Sequence, residues 1–350
     1  KQIVPAIISQ MVTLIYNLAD TYFVGLLNDP AQTAAVAVAA PIFLMLTAIS
    51  NLFGVGGAST FAQALGRKEN RTASQISSIA FWFGLLASVL FAFLVFIFMK
   101  PILMVCGATP EVYELVRCYV MWTVIIGGPG TVLNILLANL IRGEGSAGIA
   151  SFGVSAGGFL NILLDPFFVL PFGLNMNIKG AAIATLISNV VTTLYFAILL
   201  IVIRKKSVVS FSPKKACLAI KEKIARNVLF TGLPSALQTM LSAVSNLVLN
   251  SLMIGYGETA EAAIGVTKKI DAVPFGMVTG LAQGAAPLIA YNNGAKKYDK
   301  MKTTLKLSLC YCVGLAISVL IVVESAAGAL IEVFSKDVST VTYGEKFLRL

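Results

Sequence analysis

The stretch GVGGASTFAQALGRKE (residues 54–69) decides the fold, because AQGAAPLIAYNNGAKK (282–297) repeats its pattern at a sequence offset of 228. Each stretch closes a long apolar segment with a glycine followed by basic residues. A second pair, AAVAVAAPI (34–42) and AAIGVTKKI (262–270), lies upstream at the same offset. Because one offset relates both pairs, we predict an internal duplication.

Further matches extend the repeat towards the beginning of the chain. At offsets of 229 and 230, these are Pro5 with Pro234, Asn17 with Asn246, and DTYFVG (20–25) with NSLMIG (250–255). Six apolar segments precede the second copy, so both copies keep the same orientation in a membrane. We therefore predict a parallel repeat about an axis along the membrane normal, with a cavity between its halves.

Composition assigns the chain to the membrane proteins. Of its 350 residues 57% are hydrophobic and only 12% charged, against about 25% charged in soluble domains. Apolar segments of about 20 residues cross a bilayer as helices. We predict nine spans, with a tenth starting near 338, at 3–27, 33–65, 73–99, 111–141, 148–171, 180–203, 224–254, 262–291 and 301–330.

The predicted fold is an all-α polytopic membrane protein with two pseudo-symmetric six-helix lobes. Residues 1–203 form the amino-terminal lobe with spans one to six, and 204–223 form a polar linker. Residues 224–350 form the carboxy-terminal lobe, with spans seven to nine and the start of a tenth. A second copy of the repeat needs six spans, so we expect the chain to be truncated within its second lobe.

Charge predicts which side of the membrane each loop occupies. Lys1 and one alternate set of polar stretches, 66–71, 141–146, 204–226 and 294–306, carry 18 of the 26 basic residues, and the other set of loops carries only Lys100 and Lys179. By the positive-inside rule, the basic set is cytoplasmic, namely 66–72, 141–147, 204–223 and 292–302. We expect a multi-pass protein of the cytoplasmic (inner) membrane. The net charge of +10 then requires no nucleic-acid partner.

An acidic residue, Asp20, lies in the first predicted span. Ser9, Gln10, Thr13, Asn17 and Asp20 follow three- and four-residue spacing and cover an arc of about 100° on a helix. A carboxylate at mid-bilayer costs at least about 2.5 kcal/mol, which makes it a candidate functional group. The structural alternative is that these residues hydrogen-bond neighbouring helices.

A second acid, Asp165, lies in the fifth span, with Asn161 four residues before it on the same helical face. Pro166 removes a backbone donor beside it. Thr185 lies in a stretch of small residues in the sixth span, which favours close helix packing. Two acids with amide and hydroxyl groups form a minimal proton or sodium site, although Asp165 could instead cap a helix break.

The second half lacks this acid, since Asn250 stands at the position equivalent to Asp20. Its seventh span keeps a polar stripe that includes Gln238 and Asn246. In the eighth span Lys268 and Asp271 are three residues apart, which suggests a structural ion pair or a place in the cavity wall. The predicted substrate cavity takes the residues Gln10, Gln238, Asn246, Asn250, Lys268 and Asp271.

In this order, six motifs resemble the MATE (multidrug and toxic compound extrusion) family of efflux transporters. They are LADTYFVG (18–25), GVGGAST with LGRKE (54–69), LIRGEGS (140–146), LNILLDPFFV (160–169), GAAIAT (180–185) and APLIAYNNGAKK (286–297). The resemblance implies efflux of organic cations driven by H⁺ or Na⁺. It implies an amino-lobe coupling site at Asp20, Asn161, Asp165 and Thr185, to which we add Asn17 as support. The seventh span has no acid, which disfavours a coupling site in the carboxy-terminal lobe.

The leading functional hypothesis is a cation-coupled antiporter, a monomer that exports small cationic amphiphiles and uses no cofactor besides its coupling ion. Na⁺ would bind at Asp20, Asn161 and Asp165, and H⁺ would use the same carboxylates. The alternative is a flippase for a lipid-linked precursor, with Lys268 and Lys269 as the candidates for an anionic headgroup. An enzyme has little support, because the chain has no histidine, no HExxH or GxSxG motif and no P-loop lysine.

Overall fold

The computed structural model describes residues 2–27, 29–171, 173–205, 207–254, 256, 258–332 and 338–349. Within these ranges the regular structure is helical, which confirms the predicted all-α class. The helices are α1 Ile3–Gly25, α2 Pro30–Gly66, α3 Asn70–Ile97, α4 Met99–Val105, α5 Tyr113–Val120, α6 Gly128–Gly143, α7 Ala147–Val169, α8 Asn177–Val202, α9 Pro213–Lys221, α10 Ile224–Ile254, α11 Glu258–Gly294, α12 Tyr298–Glu332 and α13 Val338–Arg349.

Among the described residues, eight helices are long and apolar enough to cross a membrane, and a bent pair brings the number to nine. The chain is therefore a multi-pass membrane protein. The nine elements correspond one for one to the nine predicted spans. The helix α13 begins at residue 338, where the sequence predicts the start of a tenth span.

The duplication is visible in the bounds of the helices. An offset of 228 relates both ends of α2 to the ends of α11, and the start of α3 to the start of α12. An offset of 229 relates the end of α1 to the end of α10. Both offsets were found in the sequence, so the copies agree in the positions of these helix ends as well as in motif, and α2 and α11 are also equal in length at 37 residues.

The fourth predicted span, 111–141, contains a bend. A π-helical turn, Met121–Ile126, follows α5, and the chain then bends by 49° into α6. Gly127, Gly128 and Pro129 lie at the bend. Proline lacks the backbone donor that a continuous helix needs at this point, and the glycines impose no side-chain constraint on the backbone. Apolar length alone predicted the span and gave no sign of the bend.

Two stretches predicted as loops contain helices. The helix α4 lies within 99–111, and α9 lies within the linker 204–223. The linker is fixed to the first lobe, because Glu144 accepts hydrogen bonds from the Ser207 hydroxyl at 2.7 Å and the Val208 amide at 2.6 Å. The Ser210 carbonyl also accepts a hydrogen bond from Ser78 at 2.8 Å. Specific hydrogen bonds thus hold a segment whose composition is typical of a free hinge.

Apolar side chains form two cores around the first lobe, and the first of them also contains Ala216, Ala219 and Val228 from beyond residue 203. One core lies towards the basic loops and is centred on Phe61, Leu140 and Phe196. The other lies towards the opposite end and is centred on Val24, Val116 and Val169. The second core surrounds the helix ends that carry the buried acids, so those acids lie in packed protein rather than in open lipid.

Candidate functional site

Four helices bring polar side chains together in the half of the first lobe that lies away from the basic loops. Asp20 lies five residues before the end of α1, and Asp165 lies four residues before the end of α7. Thr185 belongs to the third turn of α8, and Tyr119 to the last turn of α5. The side chain of Asp165 is fully buried, and Asp20 and Asn161 are 8% and 2% exposed.

Two glycines of α7 allow the neighbouring helices to come this close. A Cβ on Gly158 would lie 2.9 Å from a methyl carbon of Val12 and 3.1 Å from the ring of Tyr16, both on α1. A Cβ on Gly157 would overlap the hydroxyl of Thr192 on α8. Because these positions lack side chains, α7 packs between α1 and α8, and its acid faces both.

Hydrogen bonds connect the site residues in two groups. The Asn161 side-chain amide donates to Asp165 Oδ1 at 3.4 Å and to Thr185 Oγ1 at 3.5 Å. The Tyr119 hydroxyl donates to Asp20 Oδ2 at 3.4 Å. The helices α1 and α7, which carry the two acids, pack against each other. We name the residues of both groups the acid cluster: Asp20, Tyr119, Asn161, Asp165 and Thr185.

Three buried oxygens of the acid cluster have no hydrogen-bond donor. They are Asp20 Oδ1, Asp165 Oδ2 and Asn161 Oδ1. A buried acceptor without a donor costs about 1–3 kcal/mol, and more if it is charged. All three belong to carboxylate or amide groups, which are the oxygen ligands that hard cations such as Na⁺ prefer. A proton on either carboxylate would also supply a donor.

Tyr119 is a site residue that the sequence did not indicate. It lies on a different helix from both acids, and contacts between helices leave no local spacing pattern. Tyr16, whose ring lies beside Gly158 of α7, could have been found. It lies four residues before Asp20 on the same helix, so helical periodicity places it on the same face.

The remaining member of the predicted coupling set, Asn17, differs from the acid cluster in burial. It is exposed, and its carbonyl accepts a hydrogen bond from Thr21. The polar stripe on α1 therefore has two sides: Ser9 and Asp20 are buried, whereas Asn17 is exposed.

An open groove of about 730 Å³, which we name the cavity, lies along α10. Its lining includes two predicted residues, Gln238 and Asn246, in a wall made of Pro234, Leu237, Gln238, Leu241, Ser242, Ser245 and Asn246. Gln10 is half-buried on α1, and Lys268 and Asp271 lie one turn apart on α11; none of the three lines this cavity. The side chain of Asn250 is outside the described residues.

A buried arginine, Arg142, is a second polar feature that the sequence did not indicate. Its side chain is 5% exposed and donates to Ser9 Oγ at 3.2 Å and to Asn139 Oδ1 at 3.4 Å. The backbone holds it in place, because Gly145 has φ +96° and the Ser146 amide bonds the Ile141 carbonyl, which closes α6. Gln2 donates to the Gly145 carbonyl at 2.9 Å, so the end of α6 fixes the start of α1.

The family model MatE matches this chain over residues 5–167 and 234–350. The two matched segments begin at the two prolines that the repeat pairs. The chain is 31% identical over 338 residues to the multidrug export protein MepA of Staphylococcus saprophyticus, covering 97% of this chain and 73% of that protein. It is 29% identical over 346 residues to MepA of Staphylococcus aureus, covering 99% of this chain and 75% of that protein.

Solved structures agree with these sequence matches. One is described as the outward-facing conformation of a multidrug resistance MATE family transporter of the MOP superfamily. It superposes with a TM-score of 0.85 and 27% identity, over 99% of this chain and 76% of that chain. A structure of MATE in the straight conformation superposes with a TM-score of 0.89 and 25% identity, over the same shares of both chains.

Proposed function

Because the chain belongs to the MatE family, as its motifs had indicated, we propose that it exports organic cations in exchange for H⁺ or Na⁺. The observation that carries the coupling role is the acid cluster, with three buried oxygens that lack donors. A transporter needs a site that is unfavourable when empty and is satisfied by the ion that drives it. Two carboxylates in a water-poor environment meet this requirement, because either H⁺ or Na⁺ neutralises them.

In this proposal the two lobes have different roles. The acid cluster lies within the first lobe, and the cavity wall along α10 belongs to the second. A cationic amphiphile suits that wall, because Leu237 and Leu241 offer apolar contact, while Gln238 and Ser242 accept hydrogen bonds. The substrate and the coupling ion then share an attraction to the same pair of negative charges. Competition between them links the export of one to the entry of the other.

Alternating access follows from the arrangement of the lobes. They meet through α2 with α10, α1 with α11 and α2 with α11, and the closest backbone approaches, at Gly66 and Gly294, lie beside the basic loops. The charge distribution assigns that end to the cytoplasm, so this conformation is outward-facing in the proposal. Rocking of one lobe against the other would expose the cavity to the cytoplasm.

The test is transport in vesicles reconstituted with the purified chain. Ethidium efflux should require an imposed proton or sodium gradient and should dissipate it, and separate imposition of the two gradients identifies the ion. Efflux without any gradient dependence would contradict the proposed antiport. Absence of drug efflux together with saturable binding of a polyprenyl-linked lipid would favour the flippase alternative.

A further inference from the structure

The two lobes touch where glycine backbones approach each other, and these contacts form a seam. A Cβ on Gly66 of α2 would overlap the carbonyl oxygen of Tyr291 on α11, and would lie 2.8 Å from the amide of Ala295. A Cβ on Gly294 of α11 would in turn overlap the carbonyl oxygen of Gln63 on α2. No side chain larger than hydrogen fits at either glycine without moving the opposite backbone.

The repeat makes these two contacts equivalent. The offset of 228 that relates α2 to α11 pairs Gly66 with Gly294, and it also pairs Gln63 with Tyr291. Gly66 of the first copy thus approaches Tyr291 of the second, and Gly294 of the second copy approaches Gln63 of the first. The two contacts are the same contact with the copies exchanged. This reciprocity is the geometry of a two-fold interface between identical subunits, here made within one chain by its two copies.

A second pair of equivalent contacts lies ten residues earlier on α2 and α11, further from the basic loops. A Cβ on Gly56 of α2 would overlap the carbonyl oxygen of Val228 and lie 2.8 Å from Gly232 on α10. Its counterpart, Gly284 of α11, would place a Cβ 2.7 Å from the Cα of Ile3 on α1. Ile3 is the counterpart of Gly232 at the offset of 229 that relates α1 to α10, so this contact is reciprocal as well.

Further from the basic loops, the side-chain amide of Asn51 donates to Thr239 Oγ1 at 3.0 Å, and Gly276 lies beside the methyl group of Met11. The cavity wall on α10 begins at Pro234, two residues past Gly232, and runs to Asn246. The seam thus closes the cavity on the side of the basic loops.

We propose that the four glycines, Gly56, Gly66, Gly284 and Gly294, are a gate whose two halves come from the two copies of the duplication. Glycine contacts let helices approach closely through backbone packing. They interlock no side chains, so the same surfaces can part without rearranging rotamers. The gate rests on the proposed alternating access, because opening it is what would expose the cavity to the basic side.

The gate is tested by a disulfide between Asn51→Cys and Thr239→Cys, in a background whose five native cysteines are replaced by serine. The two replaced side chains are in contact only when the seam is closed. Alanine at Gly66 should slow disulfide formation about tenfold, because one added methyl overpacks the seam. Alanine at Gly294 should slow it to the same extent within a factor of about two, because the contacts are equivalent.

The matched controls are Gly25→Ala and Gly314→Ala, whose Cβ atoms would meet nothing within 4 Å; both should leave the rate unchanged. Equal rates in Gly66→Ala, Gly294→Ala and the controls would overturn the proposal. A second measurement needs no glycine substitution. The cross-linked parent should lose transport and regain it on reduction, and full transport while cross-linked would also overturn the gate.

These readouts separate the gate from the proposed coupling. Disulfide formation is measured without substrate and without an ion gradient. A chain that proves not to be an antiporter would still cross-link in the glycine-dependent way. Conversely, an antiporter whose cross-linking ignores Gly66 and Gly294 would keep its proposed function and lose the gate.

Discussion

The helices α1 and α10 are copies of one ancestral segment, yet they present different chemistry. On α1 the polar stripe ends in Asp20, which is buried within its own lobe beside Tyr119. On α10 the polar residues Gln238 and Asn246 face a cavity instead. The seam glycines of the neighbouring helices, by contrast, occupy equivalent positions in both copies. The duplication thus kept the surfaces by which the lobes meet and allowed the polar sites to diverge.

The largest expected effect comes from removing the charge that only the first copy has. Asp20→Asn keeps the size of the side chain and its hydrogen bond from Tyr119 but removes the charge that attracts a cation. Gradient-driven ethidium efflux should fall by about a hundredfold or more. The bound ion would lose a buried carboxylate partner, and removing one partner of a buried charge pair costs several kcal/mol. Initial rates in reconstituted vesicles measure it.

The control for that substitution is Asp29→Asn. Asp29 caps α2 by accepting the Ala31 amide at 3.0 Å, and asparagine caps helices as well as aspartate does. Efflux should therefore stay within about twofold of the parent rate. A similar loss at both aspartates would mean that overall charge, rather than the acid cluster, sets the rate.

A smaller effect is expected from the neutral members of the acid cluster. Asn161→Ala and Thr185→Val each remove one oxygen or donor beside Asp165 and leave both charges in place. The apparent affinity for the coupling ion should weaken by about tenfold, the equivalent of one hydrogen bond to a charged group. Efflux measured against ion concentration should recover its maximal rate at high concentration, and a lower maximal rate would assign these residues a different role.

On the second copy the expected effect is smaller and depends on the substrate. Gln238→Ala removes one of the four polar side chains of the cavity wall. The efflux rates of different cations should change by up to about threefold, and by a different factor for each cation. The dependence of efflux on the concentration of the coupling ion should stay the same. Val244→Ala is the matched control, because Val244 is exposed on the same helix but does not line the cavity. An altered ion dependence in Gln238→Ala would contradict the division of roles between the copies.

The smallest effect is expected at Asn17. Its side chain is exposed, so Asn17→Ala should change ion affinity by less than about twofold. Titration of efflux against the ion, alongside Asn161→Ala, gives the comparison. An effect as large as that of Asn161→Ala would return Asn17 to the coupling site, where sequence periodicity had placed it.

Sequence could predict the elements and much of the site, because both depend on patterns along one helix. The nine spans follow from apolar length, and Asn161 and Asp165 share a face because they are four residues apart. Tyr119 and Arg142 could not be found this way, since their partners lie on other helices. Asn17 shows that periodicity can also include a residue that is not buried. An arc of about 100° on a helix can be wider than the face that packs against the neighbouring helices.

The seam was present in the sequence, although its role was not. The first quoted repeat contains Gly56, Gly66, Gly284 and Gly294 at matching positions, and this regularity was sufficient to predict two copies. The copies contact each other through these glycines, but that depends on how the lobes dock. A repeat specifies equivalent surfaces, and only the three-dimensional arrangement shows that those surfaces meet each other.

The most direct test of the central claim is ion release from the purified chain when substrate is added. If Asp20 and Asp165 hold the coupling ion, the parent chain and Gln238→Ala should each release H⁺ or Na⁺ on saturation with ethidium. Asp20→Asn and Asp165→Asn should release little or none. Release from both aspartate variants at the parent level would contradict an ion site in the first lobe.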